Sequence, residues 1–461
     1  MLVPELEKAV GIEVYATRSS GIGGIIRQNV EDFAVEEVLV DGSKAEITPS
    51  KKSTNHTVLG SSWNKNRYLL CVLVKRDWDT FIAIRNIANQ LGISPRQIHT
   101  AGIKDAKAIT AQHIAIEGVS AEDAQKVHVK DIEVRPVGYL QIKLSSYYLL
   151  GNNFHIRINA LNHPRPTIRK RIAKTIEELE TVCGMPNFFG HQRFGTTRPI
   201  THLVGKAIVQ GDFEKAAMLF LAEPSKHEHP ASRKARGELQ ETLNFKQSLE
   251  NYPKQLRYER MMLEQLVEKP KDFAGAFKRL PIKLRELFIQ AYQSYLFNKF
   301  LSGRILKGFP LNVAEVGDYA VNVERSGLPM PTMYRMVNLG TRAEINSLIK
   351  RGKMRLAIPL VGFRQHLSQG VQGEIEKQIF EREDISLESF RISAMPEMSA
   401  RGELRAALTP VNNFSLETVS SDPADSKKCS AKVSFSLNRS SYATILLREI
   451  MKPRNVTKAG F

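Results

Sequence analysis

The chain has 461 residues, which at about 150 residues per domain points to two or three domains and to a core that needs no disulfide staples. Hydrophobic residues make up 42% and charged residues 25%, excluding a disordered tail, a collagen-like chain and a small disulfide scaffold. Lys and Arg number 66 against 48 Asp and Glu, and the resulting +18 points to a polyanionic partner, nucleic acid first. Cys71, Cys183 and Cys429 lie far apart with no C-x-x-C pair, which fits a reducing compartment and speaks against a cysteine-based metal site. No run approaches the ~18 apolar residues of a membrane span, and the acidic start lacks the apolar stretch of a signal peptide. The expected setting is cytoplasmic, with no membrane association.

The first 160 residues read as strands punctuated by one clear helix. Tyr68 to Val74 is a short apolar run of β-preferring residues, a buried strand. The spacing then predicts a helix capped by Asp77 or Asp79, with Ile84, Ile87, Ala88 and Leu91 on one face and Gly92 as its stop. Ser94-Pro95 opens another short helix. After the loop Thr100 to Asp105 comes a strand with Ile114 and Ile116 on one side, and Phe154, Ile156 and Ile158 mark another half-buried strand. Ile168, Ile172, Ile176 and Leu179 fall at helical spacing over 167–183, with Gly184 as the expected stop.

Beyond residue 200 the character changes. The stretch 222–256 is polar and reads as surface helices and loops, and a strongly periodic helix follows Pro281, its Phe and Tyr residues packing a core. Residues 309–365 return to short strands and turns. Thr418 to Ser430 reads as a polar loop, Val433 to Leu437 as an alternating strand, and the chain closes with a helix through Leu446 and Ile450. The last 36 residues hold eight Lys or Arg and one Glu, a basic end segment.

Chemistry is thinly signalled by residue types alone. Asp105 lies in a glycine-containing loop between Lys104 and Lys107, where nearby cations favour the charged form of a carboxylate. The plain alternative is a turn aspartate bonding its own backbone. Asn187-Phe188-Phe189-Gly190 runs into His191-Gln192-Arg193-Phe194-Gly195, a set that can stack and hydrogen-bond a base or simply staple a loop. Ser20-Gly21-Ile22-Gly23-Gly24 lacks the Lys-Ser/Thr of a phosphate loop, and the histidines at 99, 113, 155, 191 and 202 show no metal-ligand spacing.

Five segments together resemble the TruD family of pseudouridine synthases. They are Glu31-Asp32-Phe33-Ala34-Val35-Glu36-Glu37, Ala101-Gly102-Ile103-Lys104-Asp105 continuing to Gln112, Asn187 to Gly195, Ala291-Tyr292-Gln293-Ser294-Tyr295-Leu296-Phe297-Asn298, and Ser441-Tyr442-Ala443-Thr444 to Glu449. Their order is the family's, and they span nearly the whole chain. The resemblance implies an α+β fold: a catalytic domain with a mixed, largely antiparallel sheet, interrupted by an inserted α/β TRUD domain. The expected bounds are 1–199 and 396–461 for the catalytic domain and 200–395 for the insertion.

It further implies a tRNA pseudouridine synthase acting at position 13, with Asp105 as catalytic aspartate, Arg27 as its basic partner, Asn187 in the active site and Phe189 stacking the base. Neither metal nor redox cofactor is implied, nor an obligate protein partner. Lys104, Gln192, Arg193, Arg304, Arg405 and Arg448 are the expected contacts to tRNA. Ser440 departs from the pattern, standing where members often carry glycine. Two rival readings are a non-catalytic RNA-binding or chaperone protein on the same scaffold, and an aspartate-using hydrolase, which expects a second carboxylate that the sequence does not offer.

Overall fold

The computed structural model describes residues 2–49 and 67–461. Its contacts divide the chain into two compact units, each built from separated pieces. One joins Thr17–Met185 with Thr409–Phe461, and the other joins Met1–Ala16 with Pro186–Leu408. The stretch 200–395, expected as the insertion, lies inside the second of these, together with 1–16, 186–199 and 396–408.

The first unit is organised by an eight-stranded sheet. Its strands are β1 (Phe33–Leu39), β2 (Tyr68–Arg76), β3 (Ile98–Thr100), β4 (Ile109–Glu117), β5 (Ile132–Leu140), β6 (Leu149–Leu161), β7 (Asn412–Ser421) and β8 (Cys429–Asn438). They run in the order β7-β8-β6-β1-β4-β2-β5, with β3 pairing β4. β1 and β4 are parallel, Ala34 opposite Ile109, and the other described pairings are antiparallel. The fold is therefore α+β with a mixed, largely antiparallel sheet.

Helix α1 (Thr80–Leu91) forms where the sequence places it. The Asp79 carboxylate accepts the Phe81 and Ile82 N–H groups, and Gly92 ends the helix at φ +65°. Its Ala83, Ile84, Ile87 and Ala88 pack onto Leu69, Cys71 and Leu73 of β2 and Ile114 and Ile116 of β4. Each large side chain buried there stabilises the unit by about 1.5–3 kcal/mol. Helix α2 (Arg165–Thr181) buries Ile168, Ile172 and Leu179, and α3 (Ala443–Met451) is buried along its whole length.

One local expectation fails for an identifiable reason. Thr418 to Ser421 complete β7 and Cys429 begins β8, so only the short turn between them is loop. β7 is an edge strand with most of its side chains in solvent, and there Ser, Thr and Glu replace the apolar alternation that marks an inner strand. Helix α2 stops just ahead of Gly184, where Cys183 takes φ +64° and Gly184 φ +146°. Gly184 also serves a close approach: a Cβ there would stand 2.3 Å from the Thr409 carbonyl oxygen. In the glycine-rich turn, Gly24 does similar work at φ +95°, where a Cβ would meet the Asn159 oxygen at 2.8 Å.

The second unit is mostly helical. Its longest helix, Ile282–Leu306, has Pro281 as N-cap and buries Phe288, Ala291, Tyr292, Leu296, Phe297 and Phe300. Helices Pro230–Thr242 and Phe245–Asn251 occupy the polar stretch. A four-stranded antiparallel sheet runs in the order Glu403–Ala406, Met354–Leu360, Tyr319–Val323, Pro329–Met336. Between its strands lies the helix Arg342–Lys350, which the sequence reading passes over. Among the described residues no helix is long and apolar enough to cross a membrane.

Candidate active site

Asp105 sits on the loop joining β3 to β4, and buried side chains hold that loop. Gln112 Nε2 donates to the Gly102 carbonyl at 3.0 Å. The Thr80 hydroxyl, at the start of α1, donates to the Lys104 carbonyl and accepts the Lys104 N–H, both at 3.2 Å. Lys75 on β2 donates to the Asp105 carbonyl at 2.7 Å. The Lys104 side chain turns inward: only 4% exposed, its Nζ lies 2.6 Å from Glu37 Oε2, a charge contact. Glu37 Oε1 also accepts the His113 N–H at 3.0 Å and lies 3.3 Å from His113 Nδ1. Burial alone would raise the Glu37 carboxyl, but Lys104 and His113 bring it below its ordinary value.

The Asp105 carboxylate itself stays accessible. Its side chain is 39% exposed, and Oδ1 lies 3.2 Å from Arg27 Nη2. Arg27 is 14% exposed, lies 4.0 Å over the Phe33 ring, and donates through Nη1 to the Gly460 carbonyl at 3.3 Å. Burial lowers the Arg27 pKa, with Asp105 opposing the shift. The Arg27 backbone is left-handed at φ +58°, an uncommon conformation for a side-chain-bearing residue. Among the described residues no group of three or more His, Cys, Asp or Glu is placed to hold a metal ion.

Asn187 and Phe189 belong to the second unit. The Asn187 side chain donates through Nδ2 to the Ala406 carbonyl at 3.0 Å and accepts Arg405 Nη2 at 2.7 Å. Arg405 Nε bonds the Asn187 carbonyl at 3.1 Å, and its guanidinium lies 4.0 Å over the Phe189 ring. Asn298 grips the Phe189 main chain twice, accepting its N–H at 2.8 Å and donating to its carbonyl at 3.1 Å, while Phe297 meets the ring edge-on. Phe189 is 6% exposed, with the Arg405 guanidinium 4.0 Å and the Arg193 guanidinium 5.7 Å from the centre of its ring. The ring borders a cavity of about 440 Å³ shared with Arg193, Gln293, Ser294 and Arg401. Arg193 bonds Ser294 Oγ at 3.2 Å and Gln290 Oε1 at 3.1 Å; it and Gln192 are half-buried.

Four of the six expected tRNA contacts are buried and already paired. Arg304 is 1% exposed and gives its donors to Asp318, Gln372 and the Pro310 and Val313 carbonyls. Arg448 is fully buried against Glu449. Lys104 and Arg405 serve Glu37 and Asn187 as described. A buried, paired cation reaches a phosphate only by leaving its partner as an uncompensated charge or unpaired polar group.

Lys75 and Thr80 are absent from the sequence reading, and Glu37 enters it only as the end of a matching segment with no role, although a signal exists for Lys75 and Glu37. Lys75 follows Leu69, Cys71 and Leu73 on one face of β2, a strand buried on both faces through Leu73, and Glu37 continues Phe33 and Val35 on β1. A charged residue on a buried face, next to a polar motif, points to an internal polar network.

The comparisons with known proteins agree with one another. The family model described as tRNA pseudouridine synthase D (TruD) matches residues 9–450. A relative from Methanosarcina barkeri, named "Probable tRNA pseudouridine synthase D", is 41% identical over 98% of both chains. A relative of the same name from Pyrococcus abyssi is 34% identical over 95% of this chain and 98% of its own. A crystal structure of a chain from Methanosarcina mazei, assigned to TruD, superposes with a TM-score of 0.83 at 38% identity, covering 99% of this chain and 100% of that one. This chain, too, belongs to the tRNA pseudouridine synthase D family.

Proposed function

We propose that the protein isomerises uridine to pseudouridine at position 13 of tRNA, with Asp105 as the catalytic carboxylate and with no cofactor taking part. The observation that carries this reading is the setting of Asp105. Its main chain is fixed by buried side chains, while its carboxylate, paired with Arg27, keeps 39% of its side-chain surface open. Within the TruD family that aspartate is the one the resemblance assigns to catalysis.

The reaction breaks the bond between uracil N1 and ribose C1′, turns the base, and joins C5 to C1′; C5 gives up a proton and N1 gains one. Atoms balance within the substrate, and no electrons pass to a second molecule. A carboxylate can begin it by attacking C1′, by adding to the base, or by taking a sugar proton. Arg27 orients one oxygen of Asp105 through a charge-assisted contact. Phe189 and Asn187 take the family's base-holding roles, the first by stacking and the second as an amide whose orientation Arg405 sets. Gln192 and Arg193 remain proposed tRNA contacts.

The test is incubation of the full-length protein with an unmodified tRNA transcript, followed by chemical mapping of pseudouridine. Product at position 13 with the wild type, and none with Asp105→Asn, is the expected result. Tight, salt-sensitive binding without product would favour the RNA-chaperone reading.

A further inference from the structure

The least expected residue beneath Asp105 is Lys75. It is fully buried on β2, opposite Thr110 of β4, and its ammonium faces three main-chain carbonyls. Trp78 O and Asp105 O each lie 2.7 Å away, and Lys104 O lies 3.5 Å away. An ammonium has three hydrogens and no acceptor, so this set matches its capacity. Thr80 anchors the same peptide units, bonding both the N–H and the carbonyl of Lys104. A lysine packed against neutral carbonyls is a costly choice for a core position, and its neighbours on that face, Leu69, Cys71 and Leu73, are apolar. The position is better explained by what the ammonium holds than by what it adds to packing.

We propose that Lys75 is a positioning residue of the reaction, fixing the peptide units at 104 and 105 and thereby the direction of the Asp105 carboxylate. The inference rests on the reading of Asp105 as the catalytic group. Small displacements of a reacting group are expensive: about 1 Å of misplacement removes roughly a hundredfold in rate. Burial pulls the Lys75 ammonium down to about 8, opposed by the charges of Asp105 and Asp79 and assisted by that of Lys104. The sign follows. As pH rises through about 8 the ammonium becomes an amine, losing its charge and one of its three donors, so turnover falls on that side. An arginine stays protonated throughout this range.

Full-length Lys75→Met, Lys75→Arg, Thr80→Val and Asp105→Asn proteins are assayed on unmodified tRNA transcript, beside tRNA binding and melting curves. Lys75→Met is expected to lower kcat roughly tenfold to hundredfold while KM and tRNA Kd stay within about threefold. Lys75→Arg is expected to recover part of that loss and to lack the alkaline fall near pH 8. Thr80→Val leaves Lys75 in place and removes the second anchor on Lys104; it is expected to lower kcat in the same sense. Should Lys75→Met fail to fold, Thr80→Val and the Lys75→Arg pH profile decide. Wild-type kcat in Lys75→Met or Thr80→Val, or an unchanged alkaline fall in Lys75→Arg, overturns the proposal. Turnover retained by Asp105→Asn removes the reading it rests on, whereas an inactive Asp105→Asn beside a fully active Lys75→Met refutes Lys75 alone.

Discussion

Two arginine–aspartate pairs, one in each unit, are built for opposite ends. Arg304 and Asp318 meet bidentately at 2.9 and 2.8 Å, and both side chains are 2% exposed. Arg27 and Asp105 meet at 3.2 Å through one nitrogen and one oxygen, with the aspartate 39% exposed. In the first pair side chains and carbonyls take up the guanidinium donors, and the Glu315–Asp318 turn adds the Glu315 N–H to the carboxylate. In the second the rigidity lies in the main chain, supplied by Lys75, Thr80 and Gln112, and the carboxylate is left with room. The contrast separates a charge spent on the fold from the accessible charge proposed to act on the substrate.

Replacing each aspartate by asparagine is the sharpest way to break that contrast. Asp105→Asn should reduce turnover by about a thousandfold or more while leaving the unfolding midpoint near that of the wild type, read by tRNA turnover and denaturant titration. Asp318→Asn should do the reverse, costing about 3–5 kcal/mol of stability by leaving the buried Arg304 charge poorly compensated.

The region around Arg304 also carries a pH dependence. Burial pushes the neighbouring Glu376 carboxyl up to about 7, despite hydrogen bonds from Gln372 and Ser368. A carboxyl raised on folding contributes stability that is full below its ordinary value near 4.5 and is lost as pH rises through about 7. Denaturant midpoints should therefore show a component falling over that window, worth up to about 3 kcal/mol, and Glu376→Gln should flatten it.

Arg405 is an intermediate case, an arginine buried for the fold that also orients an expected site residue. Lysine cannot keep both bonds to Asn187 together with the stack on Phe189, so Arg405→Lys should lower kcat/KM by roughly tenfold. The smallest effect is expected at Ser440, which holds φ +65°, a conformation that glycine adopts without strain. Ser440→Gly should raise stability by about 0.5 kcal/mol, relief of left-handed strain being partly offset by chain entropy.

What the sequence made legible follows from how local each signal is. The caps of α1 are written in adjacent residues, and Asp79 and Gly92 do what their types allow. The alternation of Val433 to Leu437 needs only one buried face to be read as β8. The polar edge strand β7 carries no such signal, because solvent on its sides accepts any small polar residue. The burial of the arginines is hidden for a related reason: Arg304 is among the buried positions of its helix and Arg448 lies in a helix buried throughout, and both placements are properties of the tertiary fold, not of their own spacing. Asp105 stood out through its motif, but the network that holds it, Lys75 and Thr80 among others, joins residues from two strands and a helix start that only folding brings together.

The central claim is that the Asp105 carboxylate performs the chemistry. The most direct measurement is the single-turnover rate on unmodified tRNA, with wild type and Asp105→Asn both in excess over substrate and binding saturated. The account predicts a rate loss of about a thousandfold or more with tRNA affinity within about threefold of wild type. An Asp105→Asn rate within about tenfold of wild type at equal saturation would contradict it.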